Sequence, residues 1–151
     1  MDKLCDELGK EMYSWAVDLY PICRSLTGGG NRETLEYIKK VIPQLRMHSV
    51  KTGYKAFDWT VPNEWNIFGG YIEDLNGSRI VDFIDSNLHV MGYSEPVDKT
   101  ITIEELQKHL YSIPSEPDAI PYKTSYYKKR WGFCRGKYYF YKTNRRRNSL
   151  N

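Results

Sequence analysis

The amino-acid sequence predicts an α+β fold, in which two N-terminal helices precede a small β-rich region that contains one further helix. Three observations lead to this prediction. Apolar residues recur at helical spacing before Pro43. Short aromatic and β-branched segments replace them after Pro43, and the pair Asn76-Gly77 marks a hairpin between two of these segments. With 151 residues, the chain can form one modest core.

The first helix is predicted from an apolar stripe that begins at Leu4. Pro21 is expected to kink or interrupt this helix near its end, because proline lacks a backbone N–H and its ring clashes with the preceding turn. The stripe consists of Leu4, Leu8, Met12, Trp15, Leu19, Ile22, Cys23 and Leu26.

The second helix is predicted to follow the glycine run 28–30. Consecutive glycines supply left-handed backbone conformations and end the first helix. Asn31 is then expected to cap the second helix, and Pro43 is expected to end it. Its apolar positions are Leu35, Ile38, Val41 and Ile42.

Short strands are predicted between Pro43 and Ser94. The pair Asn76-Gly77 lies between "YIE" and "RIVDF", which predicts an antiparallel hairpin. Further along, Thr102 and Glu105 form a capping-box pattern. The helix that this pattern opens is expected to carry Leu106, Leu110 and Ile113 and to end at Pro114, before an extended proline-rich loop.

Charge and cysteine usage restrict the classes of protein that the sequence allows. The net charge of +3 combines 12 basic and 19 acidic residues over 1–118 with 10 basic and no acidic residues over 119–151. The three cysteines have no CxxC spacing, which predicts neither a disulfide framework nor a cysteine-based zinc site. Without a signal peptide or a long apolar run, we expect a cytoplasmic protein without a membrane span.

Sequence motifs predict no specific chemistry. The chain has no HExxH, no GxSxG and no phosphate-binding loop, and the three histidines lie too far apart to favour a metal site. Three aspartates lie in or beside predicted strands, where turn capping or ion pairing is favoured over a functional role. These aspartates are Asp58, Asp82 and Asp85.

Four longer segments resemble a known family. They are "LYPICRSLTGGGNRETL", "FDWTVPNEWNI", "DSNLHVMGYSEPVD" and "LYSIPSEPDAIPYKTSYYKKRWGFC". Together they resemble the N-terminal part of bacterial aminopeptidase-like proteins, some of which are described as polysaccharide biosynthesis proteins. The resemblance implies a zinc-exopeptidase-like α/β core with a β-rich domain inserted early in the chain. Residues 1–60 would then form the opening helices and first strand of this core, and residues 61–134 the inserted domain.

The resemblance also implies where catalysis takes place in such proteins. Their zinc-ligand segments lie beyond "WGFC", which ends at Cys134. Metal-assisted hydrolysis needs about three protein ligands and an open coordination position. We therefore expect the N-terminal fragment of a zinc aminopeptidase-like hydrolase, inactive alone, with no catalytic residue, no metal ligand and no cofactor in this chain. Its full-length relatives would bind zinc and a peptide-like or small-molecule substrate.

Residues 135–151 differ in composition from the preceding chain, because they contain a cluster of basic and aromatic residues and no acidic residue. This change, where the resemblance ends, favours out-of-frame translation into an aberrant basic tail. A phosphate-binding tail that would bind nucleic acid is a second interpretation, and an ordinary solvated tail is a third. A stand-alone peptide- or glycan-binding module is the remaining alternative for the whole chain.

The resemblance suggests substrate-cleft candidates in two parts of the chain. Around the glycine run, Arg24, Thr27 and Arg32 are placed to receive a carboxylate or phosphate. The alternative is that the glycines only end a helix and that these arginines pair with Glu33 or Glu36.

The other candidates come from the inserted domain, and they are Asp85, Ser86, Asn87, His89, Tyr126, Tyr127, Arg130 and Trp131. The alternative is a side-chain-capped turn at 85–87 and an aromatic cluster under the proline-rich loop. In "FDWTVPNEWNI", Asp58, Trp59 and Trp65 are expected to form the junction between core and insertion, with packing favoured for the tryptophans.

Overall fold

A computed structural model describes residues 2–125 and 128–136 of the chain. The chain divides into two compact units, with the boundary between Ile67 and Phe68. Its described residues form helices and two-stranded antiparallel or parallel sheets, which confirms the α+β class that the sequence predicts. The exopeptidase-like core stays a prediction.

Unit 1 contains two helices and a hairpin. Helix α1 spans Asp2–Leu19 and ends before Pro21, where the sequence predicts an interruption, so Ile22, Cys23 and Leu26 of the predicted stripe lie beyond the helix. Helix α2 spans Gly29–Val41 and ends before Pro43. Strands β1 (Lys55–Ala56) and β2 (Trp59–Thr60) then pair antiparallel across a two-residue loop.

The N-terminus of α2 corrects one prediction. The capping residue is Gly28, with φ 141°, and it makes no side-chain capping bond. Asn31 lies inside the helix, where its side-chain amide donates to the carbonyl oxygens of Ser25 (2.6 Å) and Leu26 (2.9 Å). Asn31 therefore fixes the loop before α2 rather than capping the helix.

Unit 2 begins with the hairpin that the pair Asn76-Gly77 predicts. Strand β3 (Tyr71–Glu73) pairs antiparallel with β4 (Arg79–Asp82). At the turn, Gly77 has φ 80°, and the carboxylate of Asp74 accepts from the backbone N–H groups of residues 76 and 78 at 2.9 Å. The turn is thus closed by a local side chain in addition to the backbone ladder.

The third helix is shorter than predicted. It spans Ile103–Gln107, and the hydroxyl of Thr102 caps it by accepting from the N–H of Glu105 at 3.3 Å. The predicted continuation to Ile113 is wrong, because residues 110–111 form strand β5 (Leu110–Tyr111). Strand β5 pairs parallel with β6 (Phe133–Cys134), and a partner strand so far along the chain gives no local signal.

The hydrophobic core lies in unit 2. Buried Val81, Trp131 and Phe133 form its centre, and six partly buried residues pack against them. These six are Ile72, Ile80, Val90, Ile101, Leu106 and Leu110. In unit 1, by contrast, α2 contains no buried residue. Within the described part of the chain, no helix is both long and apolar enough to cross a membrane.

Candidate functional site

Residues 24–32, which comprise the end of the α1–α2 connection and the first turn of α2, carry the first group of candidates and are called the glycine loop. The guanidinium of Arg24 donates to the carbonyl oxygen of Leu19 at the end of α1, at 2.8 Å. The hydroxyl of Thr27 donates to the carbonyl oxygen of Asn63 at 3.0 Å. Both side chains therefore hold backbone groups in this structure.

Arg32 pairs with Glu64, and not with Glu33 or Glu36 as the alternative interpretation expected. Its two terminal nitrogens donate to the two carboxylate oxygens of Glu64 at 2.5 and 2.9 Å. These hydrogen bonds lower the pKa of Glu64 and raise the pKa of Arg32. The fork-to-fork geometry is the one that arginine also uses for carboxylate ligands.

The N-terminus of α2 is also occupied from within the chain. The N–H of Gly29 donates to the side-chain oxygen of Asn66 at 2.7 Å. A Cβ at Gly28 would lie 2.5 Å from the carbonyl oxygen of Trp65, so only glycine allows this close approach. An anion at the glycine loop would have to displace Glu64 or Asn66, and the binding role of the loop stays a prediction.

The candidates at residues 85–89 follow strand β4. Residues 87–89 form a single 3₁₀ turn, which Ser86 caps by accepting from the N–H of Leu88 at 3.3 Å. The N–H of Asp85 donates to the carbonyl oxygen of Asp82 at 3.2 Å. This is the side-chain-capped turn of the alternative interpretation, with Ser86 as the capping residue.

His89 is fixed by a long-range hydrogen bond. Its Nδ1 lies 2.8 Å from the carbonyl oxygen of Cys134, 45 residues away in the sequence. Because a carbonyl oxygen only accepts, Nδ1 carries the proton and Nε2 is the acceptor of the neutral ring. His89 is partly buried, and Nε2 is the ring nitrogen that the bond to Cys134 does not use.

Asp82 is a buried carboxylate at the end of β4 that was not predicted as a substrate-cleft residue. One oxygen accepts from the N–H of Ile84 at 3.0 Å, and the other accepts from the guanidinium of Arg79. These two bonds, in this order, lower the pKa of Asp82, and the positive charge of Arg79 lowers it further. The prediction of turn capping or ion pairing is confirmed for Asp82, which does both.

Trp131 is a core residue, with 7% of its surface exposed. The ring of His109 stacks on it with centroids 3.6 Å apart, and Phe133 meets it edge-on at 6.4 Å. Arg130 is exposed, and Tyr126 and Tyr127 lie outside the described residues. Whether Arg130 and Trp131 contribute to substrate binding stays a prediction.

Unit 2 brings two of its candidate segments together at strand β6. The backbone of residues 131–134 accepts hydrogen bonds from His109, through the carbonyl oxygen of Trp131 (3.0 Å), and from His89, through that of Cys134. His109 has no place among the candidates, because the sequence put it on a helix. Its proximity to Trp131 depends on the β5–β6 pairing, for which the sequence offers no signal.

The described residues do not fit a zinc ion. Over 2–125 and 128–136, no group of three or more histidine, cysteine, aspartate or glutamate side chains is arranged to hold a metal. The carboxylate of Asp82 forms an ion pair with Arg79, and that of Glu64 forms an ion pair with Arg32. We derive no catalytic step through a metal from these residues.

Comparison with known structures identifies the class of protein that has this fold. A crystal structure of a "putative peptidase" from Clostridium acetobutylicum matches this fold with a TM-score of 0.85 and 51% sequence identity. The match covers 89% of this chain and 32% of that chain. The chain therefore has the fold of part of a peptidase-like protein.

The family follows from the sequence. Residues 64–144 match the family described as "Domain of unknown function (DUF2172)", and the chain belongs to this family. A Clostridium acetobutylicum protein named "Putative polysaccharide biosynthesis protein with aminopeptidase-like domain" is 54% identical over 127 residues. The match covers 84% of this chain and 29% of the relative, so the chain spans about three tenths of the relative's length. The resemblance to aminopeptidase-like proteins is confirmed.

The family match extends past Cys134 to residue 144. It thus includes ten residues of the predicted aberrant tail, of which 137–144 lie outside the described residues. The boundary at residue 134 and the out-of-frame origin of the tail stay predictions.

Proposed function

We propose that this chain is the N-terminal part of a zinc aminopeptidase-like hydrolase that acts on a peptide-like or small-molecule substrate, and that it is inactive on its own. The observation that carries this proposal is the close similarity to one third of a protein described as a peptidase. At 51% identity, the similarity extends beyond a shared fold to the sequence itself.

The exposed apolar side chains of α1 support the proposal that this chain is part of a larger protein. At about 100° per residue, the apolar side chains of α1 spread over more than half of the helix circumference, a pattern typical of an amphipathic helix that packs a wide face against other protein. In this chain these side chains are largely exposed. The exposed ones are Leu4, Leu8, Met12, Tyr13 and Val17. On our proposal, polypeptide that this chain does not contain covers them in the whole hydrolase.

The arrangement of possible metal-binding side chains supports the proposal that this chain is inactive on its own. Metal-assisted hydrolysis needs several protein ligands around one ion, and the described residues offer no such group. We place the zinc ligands in the part of the relatives that this chain does not match. When bound there, zinc would polarise the scissile carbonyl and activate a water molecule.

Unit 2 would contribute to substrate access. His89 has its ring orientation fixed by the carbonyl oxygen of Cys134 and presents Nε2 as an acceptor. The adjacent turn at 85–87 and exposed Arg130 add polar groups of both signs. On our proposal these groups orient the substrate at the entrance of the cleft and take no part in bond cleavage.

The test compares this chain with the intact Clostridium acetobutylicum relative. Zinc content is measured by mass spectrometry, and hydrolysis is followed on a panel of amino-acid anilides and dipeptides. We expect no stoichiometric zinc and no hydrolysis for this chain. For the relative, we expect hydrolysis that a chelator abolishes and added zinc restores.

Two outcomes would overturn the proposal. Tightly bound stoichiometric zinc or peptide hydrolysis in this chain would show that the missing ligands are not needed. A relative that hydrolyses the panel equally well after metal removal would exclude zinc chemistry. A His89→Gln variant serves as a control, because its zinc content should equal that of the unmodified chain.

A further inference from the structure

The tip of the β1–β2 hairpin has a conformation that its sequence disfavours. Its two loop residues are Phe57 and Asp58, between the paired residues Ala56 and Trp59. Phe57 has φ 57°, whereas φ of Asp58 is not positive. A positive φ at the first loop position alone is the pattern of a type II′ turn, in which that position favours glycine.

Among the described residues, Phe57 has no packing contact that offsets this conformation. A positive φ is rare for bulky residues, because Cβ crowds the backbone, yet the ring of Phe57 is fully exposed. Glycine would adopt the same turn without strain and without exposing an aromatic ring to water. The hairpin therefore holds a phenyl ring outward at a cost in both backbone strain and hydration.

We propose that Phe57 is an anchor that inserts into an apolar pocket on the part of the peptidase-like protein that this chain does not match. This inference rests on the proposed function. A strained, exposed side chain persists where a bound state over-determines it, and aromatic residues are the commonest anchors at protein contacts. The matched peptidase has about twice as much polypeptide outside the aligned region as within it, and this polypeptide is the occupant to which we assign the tip.

The chemistry of the tip defines the pocket. Asp58 is exposed beside Phe57, so its carboxylate stays at the rim when the ring is inserted. We therefore expect a pocket lined by apolar side chains, with an arginine, a lysine or backbone N–H groups at its edge. Trp59, which is partly exposed, would extend the apolar contact along β2.

The first test asks whether Phe57 stabilises the hairpin from within. The readout in a Phe57→Gly variant is hydrogen exchange of the Val61 N–H, which donates to the carbonyl oxygen of Tyr54 at 2.9 Å across the base of the hairpin. We expect exchange as slow as in the unmodified chain, or slower. Faster exchange would show that the ring supports the hairpin, which would overturn the anchor. Phe68→Gly is the control, because Phe68 is equally exposed without a positive φ.

The second test identifies the occupant by hydroxyl-radical footprinting of this chain and of the intact relative. In this chain, Phe57 should be labelled as fast as Phe68. In the relative as a monomer, we expect the segment aligned with residues 55–60 to be labelled several-fold more slowly. Equal labelling would overturn the inference, and protection that appears only when the relative dimerises would assign the tip to a second copy instead. Hydrolase activity of the same sample reports on the proposed function separately, since the tip can be protected in an inactive protein.

Discussion

Each of the two units of the chain is stabilised internally by a different kind of interaction. Unit 2 has an apolar core around Val81, Trp131 and Phe133. Unit 1 has few buried side chains, and its order depends on hydrogen bonds between the glycine loop and residues 63–66. Helix α1 leaves most of its own apolar side chains exposed.

This difference shows that apolar periodicity predicts a buried face without specifying what buries it. The pattern of α1 encodes a wide contact surface, and the described part of this chain does not cover it. In unit 2, strands β3 to β6 and helix α3 all contribute residues to the core. Unit 2 should therefore be the more independent folding unit, and the four predictions below test this difference.

The largest effect is expected from replacing one large apolar side chain by alanine in each unit. Trp131→Ala removes the buried centre of unit 2, and such substitutions cost about 3–5 kcal/mol. Leu8→Ala removes an exposed side chain of α1 and should change the free energy of unfolding by less than about 0.5 kcal/mol. Urea titrations followed by circular dichroism measure both. Equal destabilisation by the two variants would show that α1 is already covered.

The second prediction concerns thiol reactivity. Cys134 is fully buried, and burial raises the pKa of its thiol to about 11, whereas Cys5 is exposed on α1. Since the thiolate is the reactive form, iodoacetamide at pH 8 should modify Cys134 at least about 100-fold more slowly than Cys5. Mass spectrometry of timed samples measures the two rates, and labelling in urea is the control in which they should converge. Fast labelling of Cys134 in the native chain would contradict a closed core in unit 2.

The third prediction uses two glycines of unit 1. A Cβ at Gly30 would lie 2.0 Å from the carbonyl oxygen of Cys23, whereas a Cβ at Gly9 on α1 would meet nothing within 4 Å. Gly30→Ala should destabilise unit 1 by about 1–3 kcal/mol through overpacking. Gly9→Ala should stabilise α1 by about 0.5–1 kcal/mol, because alanine loses less backbone entropy in a helix. Thermal melts followed at 222 nm measure both, and destabilisation by Gly9→Ala would reveal a close contact at the exposed face.

The sequence predicted those parts of the fold that depend on neighbouring residues. The pair Asn76-Gly77 specified its hairpin, and Thr102 specified the start of α3, because each acts on backbone groups within a few residues. The end of α3 was mispredicted because Leu110 pairs with Phe133, far along the chain. A helical apolar spacing at Leu110 cannot be distinguished locally from a buried strand position.

The site follows the same rule. The local alternatives for Arg32 were Glu33 and Glu36, yet its partner is Glu64, 32 residues away. The orientation of His89 depends on the carbonyl oxygen of Cys134, 45 residues away. The roles of side chains that depend on such distant contacts can be assigned only once the fold is known. The family resemblance, by contrast, could be recognised from the motifs and their order along the sequence.

The smallest effect is expected from Asp82, at the edge of the unit 2 core. Hydrogen bonds from the N–H of Ile84 and from Arg79 lower its pKa in the folded chain. A depressed folded pKa stabilises the fold above the unfolded pKa, about 3.9, and this contribution is lost as the pH falls through the folded value. Asp82→Asn should therefore lower the melting temperature at pH 7 and reduce its decline at acid pH.

Asp85→Asn is the matched control, because Asp85 is exposed in the same turn. Melting temperatures of the three proteins between pH 7 and pH 2 measure the effect, and the difference between Asp82→Asn and the unmodified chain should shrink as the pH falls below about 4. A difference that is constant across this range would mean that the buried oxygens of Asp82 contribute by packing alone. In that case the ion pair with Arg79 would add no stability to unit 2, whose independence would then rest on its apolar core.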